Sequence, residues 1–205
     1  MAAPSVFGLV SLSPSPVQSV SPRMNLYWKM ARYLSGEPEH RELMKMTFES
    51  DAQLQAEISL LFSQYAACID NDRLEKWPEF FVEQCFYKIQ SRENHDRKLP
   101  ISAMECDSKN MLVDRIVSLR EANIFAEHMY RHIISIPLIL SKSENEIATQ
   151  TNYLVISTLQ SGISHIFSAG RYQDRLVRID GQLKFVERIV IFDTNSIRTQ
   201  IVTPI

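Results

Sequence analysis

The chain has 205 residues, 45% of them hydrophobic and 22% charged, and a net charge of -2, which suits one soluble globular domain with extra material at an end. A charge so near zero gives no general attraction to nucleic acid or anionic lipid, so neither is expected as a partner. Apolar runs such as Ile133 to Leu140, interrupted by Ser135 and Pro137, fall far short of the ~20 residues of a membrane span, so no membrane association is expected either.

Residues 1–22 carry no charge but four of the nine prolines and six serines. Such a composition cannot bury enough apolar surface to offset its ordering entropy, and the segment reads as a disordered tail or a misassigned start, with Met24, Met30 and Met44 as alternative initiators. It lacks a basic leader, and its apolar run from Val6 to Val10 is too short for a signal peptide, so the expected location is the cytoplasm. Residues 23–50 read as a helical arm, with candidate helices at Tyr27 to Leu34 and His40 to Glu49.

The main domain is expected over residues 51–205. Asp51 is an acceptable N-cap, and Leu54, Ile58, Leu61, Phe62, Tyr65 and Ile69 follow at the spacing of one long amphipathic helix. Asp70-Asn71-Asp72 ends it. A short helix from Arg73 to Phe81 carries Trp77, Phe80 and Phe81, with Pro78 tightening or bending it. A strand is expected from Val82 to Ser91, a loop from Arg92 to Lys98 and a short strand from Ser102 to Cys106. Ser108 can cap a helix with Met111, Ile116 and Leu119 near one face and Arg115 and Arg120 elsewhere. That helical period gives way to a strand, Ile133 to Leu140, through the hinge Tyr130-Arg131-His132. Three more strands follow: Ala148 to Leu159, His165 to Ile179 and Leu183 to Phe192. Asp180-Gly181 has the chemistry of a two-residue type I′ hairpin turn, and Ser161-Gly162 marks another turn. Helices first and a meander of strands after them define an α+β fold, in which one curved antiparallel sheet wraps around the helices as a cone with an apolar interior.

Each polar candidate has a chemical and a structural reading. Asp70 and Asp72 stand where a carboxylate could act as a general base, or where turn-forming residues stop a helix. His128 and His132 have the spacing of two metal ligands on a helix, with Asp114 or Glu127 as a possible third, but they are expected to straddle a loop-to-strand junction, where that geometry fails. Arg131 and His132 can be a catalytic pair, a structural clamp or an interface anchor, and the last two are preferred because a guanidinium fork satisfies several carbonyls at an element boundary. Cys68, Cys85 and Cys106 lack CxxC or CxH spacing and read as buried thiols, not as a disulfide framework or a thiolate metal site. Trp77, Phe80, Phe81, Phe86 and Tyr87 read as core or interface aromatics. No phosphate-cradling glycine motif occurs.

The pattern Asp72, Glu75, Trp77, Phe80, Phe81, Cys85 and Tyr87, followed by Arg115, Leu119 and Arg120 on a helix and by Arg131 and His132 at a strand start, resembles the small, or beta, subunit of bacterial aromatic-ring-hydroxylating dioxygenases. The resemblance runs from Gln53 to Ile205. The Trp77-Pro78-x-Phe80-Phe81 run, Glu93-Asn94-His95, Arg120-Glu121 and the ending Pro204-Ile205 are most similar to subunits serving benzoate-type acids, such as those of salicylate 5-hydroxylase and terephthalate dioxygenase. This implies a cystatin-like or nuclear-transport-factor-like cone and a hetero-oligomer, commonly three large and three small subunits. It also implies that the large subunit holds a Rieske iron-sulfur cluster and a mononuclear iron, with electrons arriving from NAD(P)H through a reductase, sometimes with a ferredoxin. No catalytic centre, cofactor or metal is expected on this chain, and the fixed spacing of two Cys and two His that a Rieske centre needs is not found in it. Trp77, Phe80, Phe81, Arg115, Arg120, Arg131 and His132 are the expected structural and interface residues. Two other readings compete: a free-standing dehydratase or isomerase of the scytalone dehydratase or ketosteroid isomerase kind, using Asp70, His132 and Tyr65 or Tyr87 as acid-base groups, and a ligand-binding or scaffolding cone without catalysis.

Overall fold

The computed structural model describes residues 38–122, 128–194 and 201–205. The expected tail, the candidate helix from Tyr27 to Leu34 and Glu127 lie outside them. Two compact units meet in sequence at Ser50/Asp51, and the second, Asp51–Ile205, carries the whole sheet and every candidate site residue.

Helix α1 runs from Pro38 to Asp70. It passes through Asp51, which is therefore interior and not an N-cap, because His40 to Glu49 contains no glycine or proline to stop it. Within the second unit its buried stripe is Leu54, Ile58, Leu61, Phe62, Tyr65 and Ile69. The helix ends on a Schellman arrangement. The Arg73 N–H donates to the Cys68 carbonyl and the Asp72 N–H to that of Ile69, while Asp72 takes a left-handed φ of 53°. The piece after it is a 3-10 helix, Leu74–Phe80, with Pro78 inside and Trp77 fully buried.

Strand β1 is Phe81–Ser91. The expected loop after it contains a short helix, α2 (Arg92–Asp96), because the Ser91 side chain caps it by accepting the Asn94 N–H. Strand β2 is only Met104–Cys106, and α3 spans Lys109–Glu121 with Ser108 as its N-cap. The remaining strands are β3 (His128–Ile134), β4 (Leu138–Lys142), β5 (Ile147–Leu159), β6 (Ser164–Ile179) and β7 (Gln182–Phe192). What reads in sequence as one strand, Ile133 to Leu140, is thus two, broken where Pro137 can donate no ladder hydrogen bond. The first of them begins at His128, so Arg131 and His132 lie within a strand and not at a helix-to-strand hinge.

The sheet order is β2-β1-β7-β6-β5-β3, with β4 also on β5. Every pairing is antiparallel except β1 with β7, which is parallel. Asp180 and Gly181 both take positive φ in the β6–β7 hairpin, as a type I′ turn requires. The concave face closes on α1 over an aromatic nucleus in which Trp77 meets Tyr87 edge-on at 5.0 Å and Tyr65 meets Phe185 at 5.6 Å.

Candidate functional site

Alternation along β3 sends Tyr130 and His132 inward, and Met129, Arg131 and Ile133 outward. His132 thereby meets Asp70, the last residue of α1. The Asp70 carboxylate lies 2.6 Å from His132 Nδ1 and also accepts the His132 backbone N–H at 3.0 Å. A carboxylate only accepts, so Nδ1 carries the proton and Nε2 faces away. This is how a carboxylate orients a general base. The chemistry stops there, because the His132 side chain is 0% exposed and its Nε2 is buried with no hydrogen-bond partner among the described residues. A groove of about 340 Å³ is lined by Asp70 and His132 themselves, together with Ser63, Asn71, Arg131 and Ile134. A substrate in it would touch the outside of the pair but not the base nitrogen, which is buried.

The tyrosines of the acid-base reading are elsewhere. Tyr65 and Tyr87 hydroxyls both donate to the Ile205 backbone oxygen, at 3.0 and 3.1 Å. Burial pushes both phenols up, Tyr87 far up, which disfavours proton release near neutrality. Among the described residues no hydrogen bond links either to Asp70 or His132.

His128 and His132 share the inward face of β3, but four strand residues separate them by about 13 Å, too far for one metal ion. That differs from the expected junction and reaches the same result. Asp114 is exposed on α3, and the described residues hold no group of three or more His, Cys, Asp or Glu arranged for a metal. The cysteines are buried thiols; desolvation, with Cys106 beside it, pushes the Cys85 thiol up to about 11.

Two of the cationic candidates join elements. Arg120, in the last turn of α3, bonds Glu75 Oε1 at 2.8 Å and both Asp72 carboxylate oxygens at 2.9 Å. Arg115 donates to the Ile201 carbonyl at 3.1 Å. Trp77 and Phe81 are core residues, and Phe80 is partly buried against Tyr65. Arg131 is exposed on the outer face.

The sequence reading missed a charge inside the cone. Arg188 is fully buried, bonded to Asp174 at 2.7 Å, with its guanidinium carbon 4.0 to 4.6 Å from the ring centroids of Phe185, Tyr65, Tyr172 and Phe62. The interior is therefore not wholly apolar. Period two counted from Phe185 would place Arg188 outside, but Val186 has no partner on β6, and this bulge reverses the parity. Asp174 was the readable signal, since it falls on the same face of β6 as Tyr172 and Leu176. Burial pushes its carboxyl up, and Arg188 offsets part of that.

A curved sheet closed over one long helix, with short helices packed beside it, defines a nuclear-transport-factor-like cone. Within that class, residues 64–199 match the ring hydroxylating beta subunit family. The chain is 44% identical to the anthranilate 1,2-dioxygenase small subunit of Burkholderia cepacia, over 73% of this chain and 92% of that one. It is 37% identical to the terephthalate 1,2-dioxygenase terminal oxygenase component subunit beta 2 of Comamonas sp., over 73% and 97%. A solved beta subunit, assigned to an aromatic-ring-hydroxylating dioxygenase of Novosphingobium aromaticivorans, superposes with a TM-score of 0.69 at 38% identity, over 75% of this chain and 99% of that one. The chain belongs to the ring-hydroxylating dioxygenase beta-subunit family. These relatives favour the oxygenase-subunit reading over the free-standing dehydratase or isomerase.

Proposed function

We propose that this chain is the structural small subunit of an oxygenase that hydroxylates an aromatic carboxylate of the benzoate, salicylate, anthranilate or terephthalate type. The observation that carries the reading is its 44% identity to the anthranilate 1,2-dioxygenase small subunit over 92% of that subunit. In this reading the large subunit holds the Rieske cluster, the mononuclear iron and the substrate pocket. Electrons come from NAD(P)H through a reductase, with or without a ferredoxin, and three large and three small subunits assemble in the cytoplasm. The burial of the His132 base nitrogen supports a clamp, not a catalyst, at Asp70. The outer face of β3 supports assembly, since Met129 and Ile133 are 72% and 53% exposed on either side of Arg131.

The test is co-expression with the large subunit encoded beside it. A red-brown, iron-containing complex that turns over one of these acids with NAD(P)H and reductase is expected. Failure of the two chains to co-purify would sink the reading, as would acid-base turnover by the isolated chain that is lost in Asp70→Asn.

A further inference from the structure

The interior of the cone holds a piece of the chain itself. All five residues Ile201–Ile205 are buried, and Ile205 is 0% exposed within the hydrophobic core. Arg115 of α3 holds the near end through the Ile201 carbonyl at 3.1 Å. Tyr65 of α1 and Tyr87 of β1 hold the far end through the Ile205 oxygen, and the Ile205 N–H donates back to the Tyr87 hydroxyl at 2.9 Å. Three elements thus converge on a pentapeptide.

The cage has more donors than this occupant uses. Trp77 Nε1, Tyr172 Oη and Arg188 Nη1 are all buried without a partner among the described residues. Trp77 stands edge-on to Tyr87 with ring centroids 5.0 Å apart, and Arg188 lies over the Tyr65 and Tyr172 rings at 4.2 and 4.4 Å. Asp174 is the acidic partner, and it engages Arg188 Nε and Nη2, leaving Nη1 unbonded. Unused buried donors are costly, and a group offering several acceptor lone pairs would satisfy them. Such a group is a carboxylate. Around it lie Phe62, Phe81, Tyr87 and Phe185, which suit an aromatic or branched apolar body.

We propose that the cone interior, walled by Tyr65, Trp77, Tyr87, Tyr172 and Arg188, is a binding site for a small apolar carboxylic acid, and that Ile201–Ile205 is its built-in occupant. Ligand and segment exclude each other. The site lies on this chain and does not depend on any large-subunit pocket.

The experiment uses chains carrying Trp28→Phe, so that Trp77 is the sole tryptophan, with and without residues 201–205. Benzoate and its neutral counterpart benzamide are titrated while Trp77 fluorescence and thermal unfolding are followed. The shortened chain should bind benzoate saturably and at least tenfold more tightly than benzamide. Tyr65→Phe with Tyr87→Phe should abolish that preference, the peptide Ile-Val-Thr-Pro-Ile should compete, and the full chain should bind far more weakly. A folded shortened chain without saturable quenching overturns the proposal, as does equal binding by the full chain. Should the shortened chain not fold, the full chain with Arg115→Met decides: faster amide hydrogen exchange over 201–205 together with new benzoate binding is expected, and unchanged exchange or no binding refutes it.

Discussion

Arg188 and Asp174 show how much one side chain can demand of a small core. Burial works against both charges, and the pair persists because each is the other's partner and the guanidinium also lies on four ring faces. Removing one partner strands a buried charge. Asp174→Ala should therefore cost about 3–5 kcal/mol in denaturant unfolding, whereas Asp174→Leu with Arg188→Met should cost less than either single change. A double variant as unstable as the sum would refute that coupling. The Arg120 cluster is the opposite case. The Arg120 hydrogen bond holds the exposed Glu75 carboxyl below its usual range. A lowered carboxylate stabilises the fold above its unfolded pKa, and that contribution is lost as pH falls through the folded value. Because Glu75 is mostly in water, the effect should be about 1 kcal/mol or less. The stability gap between the protein and Arg120→Met should narrow as pH falls from 6 to 3; a gap that stays constant would mean packing, not charge, is what Arg120 supplies.

At the scale of elements, what was legible had local causes. Apolar period gave the body of α1 from Leu54 to Ile69 and the place of α3, whose buried face is Leu112, Ile116 and Leu119 with Met111 exposed; Ser108 gave the start of α3, and Asp180-Gly181 gave the β6–β7 hairpin. What escaped depended on distance or on one residue of register. The parallel partner of β1 is β7, from the far end of the chain, and no local pattern announces it. The bulge at Val186 inverts the faces of β7 and hides Arg188. Asp70 and His132 each stood out in sequence, yet their bond joins residues far apart, and only the fold shows that it buries the base nitrogen. The tail clamp was likewise invisible, since Tyr65 and Tyr87 read as core or acid-base residues, not as holders of Ile205. Gly170 belongs to the same class: a Cβ there would lie 2.0 Å from the Ile191 carbonyl oxygen, so β6 and β7 approach closely at this point. Gly170→Ala must spread the two strands, and overpacking of this kind costs about 1–3 kcal/mol. The check is the unfolding midpoint; an unchanged midpoint would show that the middle of the sheet yields freely at this point.

For the whole molecule, the outer face bears most directly on assembly. Arg131 pairs across the sheet with Ile156, and Ile133 with Leu154, while Ile156 pairs in turn with Ile166 on β6. Together with Met129, these side chains form an apolar band on the outer face of β3, β5 and β6, and Ile166 is 64% exposed. Exposed single leucines or isoleucines need no explanation, but a contiguous band centred on one arginine has the composition of an interface, where aromatic, Met and Arg side chains replace Lys and Glu. The inward neighbours Tyr130 and His132 hold the strand from behind, so an outward substitution leaves the core intact. Ile133→Glu should therefore leave the melting temperature of the isolated chain nearly unchanged while abolishing co-elution with the large subunit, because a carboxylate would be stripped of water without a partner. Arg131→Ala should weaken assembly to a smaller degree and leave turnover per assembled complex unaltered. Normal complex formation by Ile133→Glu, measured by size exclusion at micromolar concentration, would move the interface to another face of the cone.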